Sequence, residues 1–314
     1  MTARHVVFGC NGPVGLALME RLVTRGDEVV GVCRSGRADA PPGTRVVAGD
    51  VADAEGAVQA ARLATTIYSC IGVDYTRWAE LWPPIVAGLL AAAEHTGARL
   101  IFADNLYMYG PQDQPLVETI PGTTCGRKPA LRARLAAEML AAHADGRARV
   151  ALVRASDFYG PRALNTVLGE RVFARALAGR RAQWLGNPHH PHTFTYVPDV
   201  ARALETLADA DESAFGQVWH VPSAPAQPVR TVVERIYALA GHSPRLQTMP
   251  DWMLAGLALV SPLMRELKEM AFLWDRPYIV DHTKFAATFW SDYTPIEEGI
   301  ETTLAWYREY LRRG

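Results

Sequence analysis

The chain has 314 residues, 49% of them hydrophobic, which is enough for one large core with an accessory lobe and too apolar for a disordered polymer. Its 32 Lys and Arg nearly cancel its 33 Asp and Glu, leaving a formal net charge of -1. Nothing therefore draws the whole molecule to nucleic acid or to an anionic membrane surface, and a small-molecule partner is expected.

In chain order, the apolar run Val6-Val7-Phe8 ends on Gly9, and two more glycines follow in Gly9-Cys10-Asn11-Gly12-Pro13-Val14-Gly15. Leu16, Leu18, Met19 and Leu22 then carry the apolar spacing of a helix, so the stretch predicts strand, tight turn and helix. Glycines at such a turn let a ligand approach the main chain, and the free N–H groups at the helix start favour an anion. The prediction is a dinucleotide pyrophosphate held by Gly9, Asn11, Gly12, Pro13, Val14 and Gly15.

Residues 28–33 (EVVGVC) predict a second strand, left through Arg34-Ser35-Gly36-Arg37. At that exit a dinucleotide-binding fold inspects the adenosine ribose: an acid accepts from a free 2′-hydroxyl, whereas arginine pairs with a 2′-phosphate. With Arg34 and Ser35 present and no acid, NADP is favoured over NAD, the alternative being a plain solvated basic loop. Residues 46–51 predict a third strand ending at Asp50 and Val51, with Asp50 placed to hold the adenine amino group, and residues 52–64 are helical in composition. A fourth strand over 66–70 leads into Cys70-Ile71-Gly72, which is expected to line the cofactor. An Ala/Leu-rich stretch from Trp78 to Thr96 predicts a helix beginning around Pro83-Pro84, and residues 99–102 a fifth strand. Strands alternating with helices predict an α/β fold with a doubly wound parallel sheet and ligands outside the carboxyl ends of the strands.

Five landmarks follow in order: Gly9-x-x-Gly12-x-x-Gly15, Gly49-Asp50-Val51, Tyr109-Gly110-Pro111, Arg154-Ala155-Ser156-Asp157-Phe158-Tyr159-Gly160-Pro161, and Phe194-Thr195-Tyr196-Val197-Pro198-Asp199-Val200-Ala201. With these the chain resembles the extended short-chain dehydrogenase/reductase superfamily, specifically its NAD-dependent epimerase/dehydratase group. The resemblance implies a Rossmann-type domain over 1–160 plus about 196–222, and a smaller substrate-binding part from about 161–195 and 223–314.

Enzymes of that superfamily place Ser or Thr after the fifth strand and Tyr-x-x-x-Lys on the next helix. The tyrosine moves a proton at the substrate oxygen, and the lysine lowers its pKa and holds the nicotinamide ribose. Set against the landmarks, Asn105 takes the Ser position, Ala130 the tyrosine position and Arg134 the lysine position, and no tyrosine occurs between Tyr109 and Tyr159. The departure resembles the atypical branch of the superfamily, which implies a cofactor more firmly than a reaction.

Asn105 and Tyr107 share parity if the segment is extended, so both are expected at the cleft. Tyr107 is then the replacement acid, with Lys128 or Arg132 near enough in sequence to depress its pKa, or else an aromatic packed under the 111–121 loop. Tyr109 is expected to be structural. Arg134 can hold a ribose but cannot relay a proton, and otherwise is a surface arginine. By the resemblance Asp157 and Phe158 stand beside the nicotinamide, Asp157 as a base or as a turn cap. His192 replaces an arginine that relatives often use for a substrate phosphate, which argues against a nucleotide sugar; it is expected instead to contact a neutral substrate or to donate a proton. The cluster His189, His190, His192 lies in a proline-containing loop without helical pairing, so no metal site is expected.

In the last third, residues 217–221 predict a strand, 229–240 a helix and 296–310 a closing helix. Between them the apolar spacing from Trp252 to Trp274 predicts amphipathic helices roofing a substrate cleft, with Trp274 at the pocket; core packing or a homodimer face is the alternative. The four cysteines form no CxxC pair, no N-terminal apolar stretch reads as a secretory signal, and the apolar run 253–260 is too short to span a bilayer, so a cytoplasmic protein is expected. The expected function is an NADP-dependent oxidoreductase or epimerase/dehydratase-like enzyme for a small to medium, fairly apolar carbonyl or hydroxyl compound. A non-catalytic NADP-binding sensor or scaffold, or a non-redox enzyme with a structural cofactor, are the alternatives.

Overall fold

In the computed structural model, which describes residues 3–313, each of the five N-terminal apolar runs forms a strand. These are β1 (Arg4–Phe8), β2 (Glu28–Cys33), β3 (Arg45–Ala48), β4 (Thr66–Ser69) and β5 (Arg99–Asp104). β6 (Arg149–Arg154) and β7 (Gln217–His220) complete one sheet in the order β7-β6-β5-β4-β1-β2-β3. Every neighbouring pair is parallel. This is the Rossmann-type, doubly wound α/β arrangement, in which the chain crosses from β3 back past β1 to β4 and so opens a crevice where the strand order reverses.

The strands read as nearly continuous apolar runs because both sheet faces are covered. On β5, Leu100 and Phe102 join the layer with α2 (Ala54–Ala60), α3 (Trp78–Thr96) and α4 (Arg127–Ala144). Ile101 joins the opposite layer, where α1 (Pro13–Thr24) packs on α5 (Val197–Ala208) through Leu18, Met19, Leu22, Leu204 and Leu207. Further helices are α6 (Val229–Ala240), α7 (Asp251–Leu257), α8 (Pro262–Glu269) and α9 (Ile296–Arg313), with short ones over Arg175–Leu177 and Thr283–Thr288. None of the described helices is long and apolar enough to cross a membrane.

Two boundaries differ from expectation. The third strand stops at Ala48, because Asp50 Oδ1 accepts the Ala52 N–H (3.0 Å) and turns the chain toward α2. The helix expected near Pro83-Pro84 begins at Trp78. Asp74 Oδ1 accepts the Thr76 N–H (2.8 Å) and caps a 3₁₀ turn over Tyr75–Arg77, which runs into α3; burial of Trp78 and Trp82, one turn apart, holds that start ahead of the prolines.

Three two-stranded pairings build the wall beyond the sheet. Asp157–Tyr159 pairs in parallel with Phe194–Tyr196, Ala182–Leu185 with Leu246–Met249, and Pro191–His192 runs antiparallel to Gln227–Pro228. A single bridge from His192 to Tyr278 brings the distant C-terminal segment alongside Asp157.

Candidate active site

A cavity of about 870 Å³ opens at the carboxyl ends of β1, β4, β5 and β6. Its lining includes Gly12, Pro13, Val14, Cys70, Ile71, Gly72, Asn105, Tyr107, Asp157, Phe158 and Trp274 from the sequence reading. It also takes in Arg132, named there only as a neighbour of Tyr107, and residues given no role at the site, chiefly Tyr75, Trp78 and Tyr278.

At one end is the glycine turn. Gly9 has φ +81°, and a Cβ there would come within 2.6 Å of the Cys70 carbonyl carbon. A Cβ on Gly15 would meet the Gly9 carbonyl oxygen at 2.5 Å, so these two glycines are required by the tightness of the turn itself. At Gly12 the nearest atoms to such a Cβ are 3.5 Å away, and it is this glycine that lines the cavity. Gly12 is also the N-cap of α1, without a side-chain cap, followed by Pro13 and by no acidic residue in the first turn. The positive end of the helix is thus open to an anion, and these residues fit a pyrophosphate. Asn11 is exposed in the same turn.

The adenosine-side candidates lie outside the cavity. Arg34 and Ser35 are exposed beyond β2, where Ser35 Oγ accepts the Arg37 N–H (3.3 Å). Asp50 is exposed beyond β3, with one oxygen committed to the Ala52 N–H, and Val51 is buried beneath it.

At the other end, β5 finishes at Asp104 and the chain turns through a 3₁₀ helix over Tyr107–Tyr109. The segment is not extended, so the parity argument for Asn105 and Tyr107 does not apply, although both line the cavity. Asn105 Oδ1 accepts the Tyr107 N–H (3.0 Å), which leaves its amide Nδ2 as the group available to a ligand. The Tyr107 hydroxyl pairs with the Tyr75 hydroxyl at 2.8 Å, and its ring stacks with Trp78. Burial lifts the Tyr107 phenol well above its ordinary pKa, and the negative charge of Asp157 pushes the same way. Tyr75 and Tyr278 are raised for the same two reasons.

The cations expected to depress Tyr107 are claimed elsewhere. Lys128 is buried against Glu266 and Glu269, the latter at 2.9 Å. Arg132 is buried and pairs with Asp104, its guanidinium lying 4.1 Å from the centre of the Trp82 ring. Asp104 also accepts from Arg154 Nε (3.1 Å) and from the Asn105 N–H (2.9 Å), and the two guanidinium groups hold its carboxyl below the usual range against the opposing effect of burial. Arg134 is a correction: it is exposed on α4 and lines nothing. The buried face of the helix carries Lys128, Arg132, Leu135, Ala136 and Met139, so the four-residue spacing assigned to Ala130 and Arg134 turns inward on Lys128 and Arg132, of which Arg132 lines the cavity. A shift of two residues turns a helix by about 200°.

Tyr109 is structural. Arg154 Nη1 donates to its oxygen (2.7 Å), its hydroxyl reaches His220 Nε2 (2.7 Å), and His220 Nδ1 reaches the Asp281 carbonyl (2.8 Å). His192 does not line the cavity. It is buried behind Asp157, with Nε2 3.1 Å from Asp157 Oδ2, and stacked on Tyr278. Trp274 Nε1 donates to that same oxygen (3.3 Å), so Asp157 Oδ1 is left toward the cavity side of the pair. Asp157, Tyr75, Tyr107 and Tyr278 thereby form one polar patch, while Glu170, Arg171, Gln183 and Gln247 add further polar groups to the lining. Tyr75 stands in the 3₁₀ turn between β4 and α3; Tyr278 arrives through one backbone bridge that no local pattern announces. Among the described residues no three metal-ligating side chains converge.

A sequence comparison with curated proteins gives no match. Among solved structures, the chain is similar to a dTDP-glucose 4,6-dehydratase of Bacillus anthracis in complex with NAD, at 16% identity and TM-score 0.80, covering 99% of this chain and 98% of that one. It is similar to the UDP-glucose 4-epimerase of Thermus thermophilus in complex with NAD, at 22% identity and TM-score 0.76 over 97% and 99% of the two chains. It is also similar to a UDP-glucuronic acid 4-epimerase of Bacillus cereus in complex with NAD, at 12% identity and TM-score 0.79 over 99% and 98%. Likeness at these identities establishes the shared fold. The model of the NAD dependent epimerase/dehydratase family matches residues 5–221, well over half of the chain, with the glycine turn and the β5 and β6 exits inside the match. The chain belongs to the NAD-dependent epimerase/dehydratase family.

Proposed function

We propose that the protein is a nicotinamide-dinucleotide-dependent oxidoreductase or epimerase/dehydratase-like enzyme acting on a small to medium, fairly apolar carbonyl or hydroxyl compound. One observation carries the reading: the open N-terminus of α1 and the Asn105, Tyr107, Asp157 group share a single cavity. A bound dinucleotide supplies hydride exchange with the substrate carbon. Gly12, Pro13 and Val14 hold its phosphates, with Cys70, Ile71 and Phe158 beside it. Asn105 Nδ2 orients the substrate oxygen, Tyr107 presents a protonated hydroxyl backed by Tyr75, and the Asp157 carboxylate, fixed by His192 and Trp274, takes the proton of a substrate hydroxyl as hydride leaves its carbon and returns it when a carbonyl is reduced. The aromatic and aliphatic side chains of the lining, Trp78, Trp82, Trp274 and Leu263 among them, suit an apolar ligand, and the Asp157 carboxylate disfavours a phosphate beside it, while Arg171 is an exposed cation of the same lining.

The similar structures hold NAD, whereas the exposed Arg34 at the end of β2, in a 34–37 loop without an acid, supports NADP here. A second reading, dinucleotide binding without turnover, draws on the commitment of Lys128 to two glutamates, which leaves Tyr107 without a cation. Calorimetry with NAD, NADH, NADP and NADPH, followed by a carbonyl panel read by reduced-nicotinamide absorbance, separates these. The proposal expects NADPH to bind tighter than NADH, Arg34→Asp to reverse that order, Tyr107→Phe to lower turnover and Asp157→Asn to abolish it, both while sparing binding. Binding of no dinucleotide overturns the reading; full turnover in Tyr107→Phe removes that residue from the chemistry.

A further inference from the structure

The outer face of the α7–α8 hairpin is the least expected surface of the molecule. Of the ten exposed large apolar side chains among the described residues, six lie within residues 252–263; Met253 and Leu263 face the cavity, and Trp252, Leu257, Leu259 and Val260 make up the outer face. Trp252, Leu259 and Val260 are 74%, 80% and 81% exposed. Scattered apolar side chains on a surface are ordinary, but a contiguous cluster on one helical turn and its connecting loop marks a surface that meets something apolar.

Charge identifies the occupant. Of the acids of the hairpin, Asp251 opens α7, whereas Glu266 and Glu269 turn inward: both bind Lys128, and Glu269 also accepts the Lys128 N–H (2.8 Å) at the start of α4. The charges of α8 that remain outward are Arg265 and Lys268, both exposed; the neighbouring Arg127 is paired with Glu266 (3.3 Å) and Glu269 (3.6 Å). An apolar edge bearing a tryptophan, flanked by two outward cations and with Glu266 and Glu269 withdrawn, matches the interface of an anionic bilayer, where apolar side chains enter the acyl boundary and cations meet the head groups. The formal net charge of -1 averages this patch away.

We propose that the hairpin tip docks the protein on an anionic lipid membrane. Its underside bears on the cavity: Met253, Leu263 and Leu267 line the chamber that holds Asn105 and Tyr107, while α8 packs on the 3₁₀ turn carrying Tyr75. Docking therefore sets the mouth of the cavity at the membrane surface, where an amphiphilic substrate can pass from lipid into an apolar pocket without crossing water.

The test uses the full chain and vesicles of phosphatidylcholine with or without phosphatidylglycerol, read by co-sedimentation. The protein is expected to sediment with phosphatidylglycerol vesicles, and less so as salt rises. Arg265→Gln with Lys268→Gln should weaken partitioning roughly thirtyfold, about fivefold for each cation. Leu259→Ser with Val260→Ser should weaken it at least tenfold on the same vesicles. None of these four side chains lines the cavity, so dinucleotide binding stays at the parent level and reports that the variants fold. No sedimentation with phosphatidylglycerol vesicles at low salt overturns the proposal, as does undiminished sedimentation of the Leu259→Ser/Val260→Ser protein. A dimer by light scattering that this double variant converts to monomer also overturns it, because a second copy then covers the patch. The readout is independent of the dinucleotide, so its failure leaves the proposed activity standing and the converse holds as well.

Discussion

Replacing Asp104 by alanine tests the buried charge cluster under the site. Asp104 is the carboxylate shared by Arg132 and Arg154, all three are buried, and it also holds the Asn105 N–H. Removing one partner of a buried pair leaves the other charge uncompensated and costs about 3–5 kcal/mol. Here two guanidinium groups lose their anion, but each keeps a partial substitute: Arg132 lies over the Trp82 ring (4.1 Å), and Arg154 keeps the Tyr109 hydroxyl (2.7 Å) and ring (4.9 Å). The loss should therefore come near the middle of that range, about 4 kcal/mol, and move a urea midpoint down by roughly 1–2 M. Adding Arg132→Met removes one orphaned cation from the Asp104→Ala background and should restore about 1–2 kcal/mol. Because the folded carboxyl is held low, its contribution is present above the ordinary carboxylate pKa of about 4 and is lost as pH falls through the folded value. A loss below about 1 kcal/mol, or a double variant less stable than Asp104→Ala alone, would refute the account of this cluster.

Two further outcomes follow from the geometry. His220 is held neutral by burial, its pKa pushed down to about 3, so the unfolded chain binds the extra proton and stability is lost as pH drops from about 6.5 toward 3, by up to about 5 kcal/mol; His220→Gln should flatten that slope in pH-dependent unfolding, and an unchanged slope would assign it to other groups. Gly15→Ala forces a Cβ to 2.5 Å from the Gly9 carbonyl oxygen and should lower both thermal stability and dinucleotide affinity, whereas Gly72→Ala, with no atom within 4 Å, should leave thermal stability unchanged; equal melting temperatures for the two would contradict the packing of the turn.

The sheet was legible because each strand is covered on both faces and so appears as an uninterrupted apolar run, and because the glycine turn has to follow the first of them. α6 was readable to the residue, since Pro228 precedes it and Gly241, at φ +81°, ends it. The register of α4 was not, for a reason of phase: setting Arg134 at the lysine position of the family put it inward, while the apolar positions Leu135, Ala136 and Met139 turn Lys128 and Arg132 toward the interior. Those apolar positions were in the sequence and would have corrected the register. Tyr278 had no such signal, because its place beside His192 is fixed by pairing between segments far apart in the chain.

The arrangement of charge bears on the direction of the proposed proton transfer. A tyrosine serves as a base only if something stabilises its phenolate, and at Tyr107 the surroundings do the reverse: burial, a second phenol and the Asp157 carboxylate all favour the protonated form. The nearby cations do not offset this, since Lys128 and Arg132 are each neutralised by glutamate or aspartate. Asp157 differs, because its partners His192 and Trp274 both bind Oδ2 and leave Oδ1 able to accept. If these residues carry the chemistry, the Tyr107 hydroxyl polarises the substrate oxygen and the Asp157 carboxylate takes up the hydroxyl proton as hydride leaves the carbon, so the pH profile of kcat for oxidation should show no alkaline limb from a tyrosine. Asp157→Asn should abolish the activity, while Tyr107→Phe should lower kcat without moving the profile. A basic limb that disappears in Tyr107→Phe would instead make the phenol the titrating group and reverse the two roles.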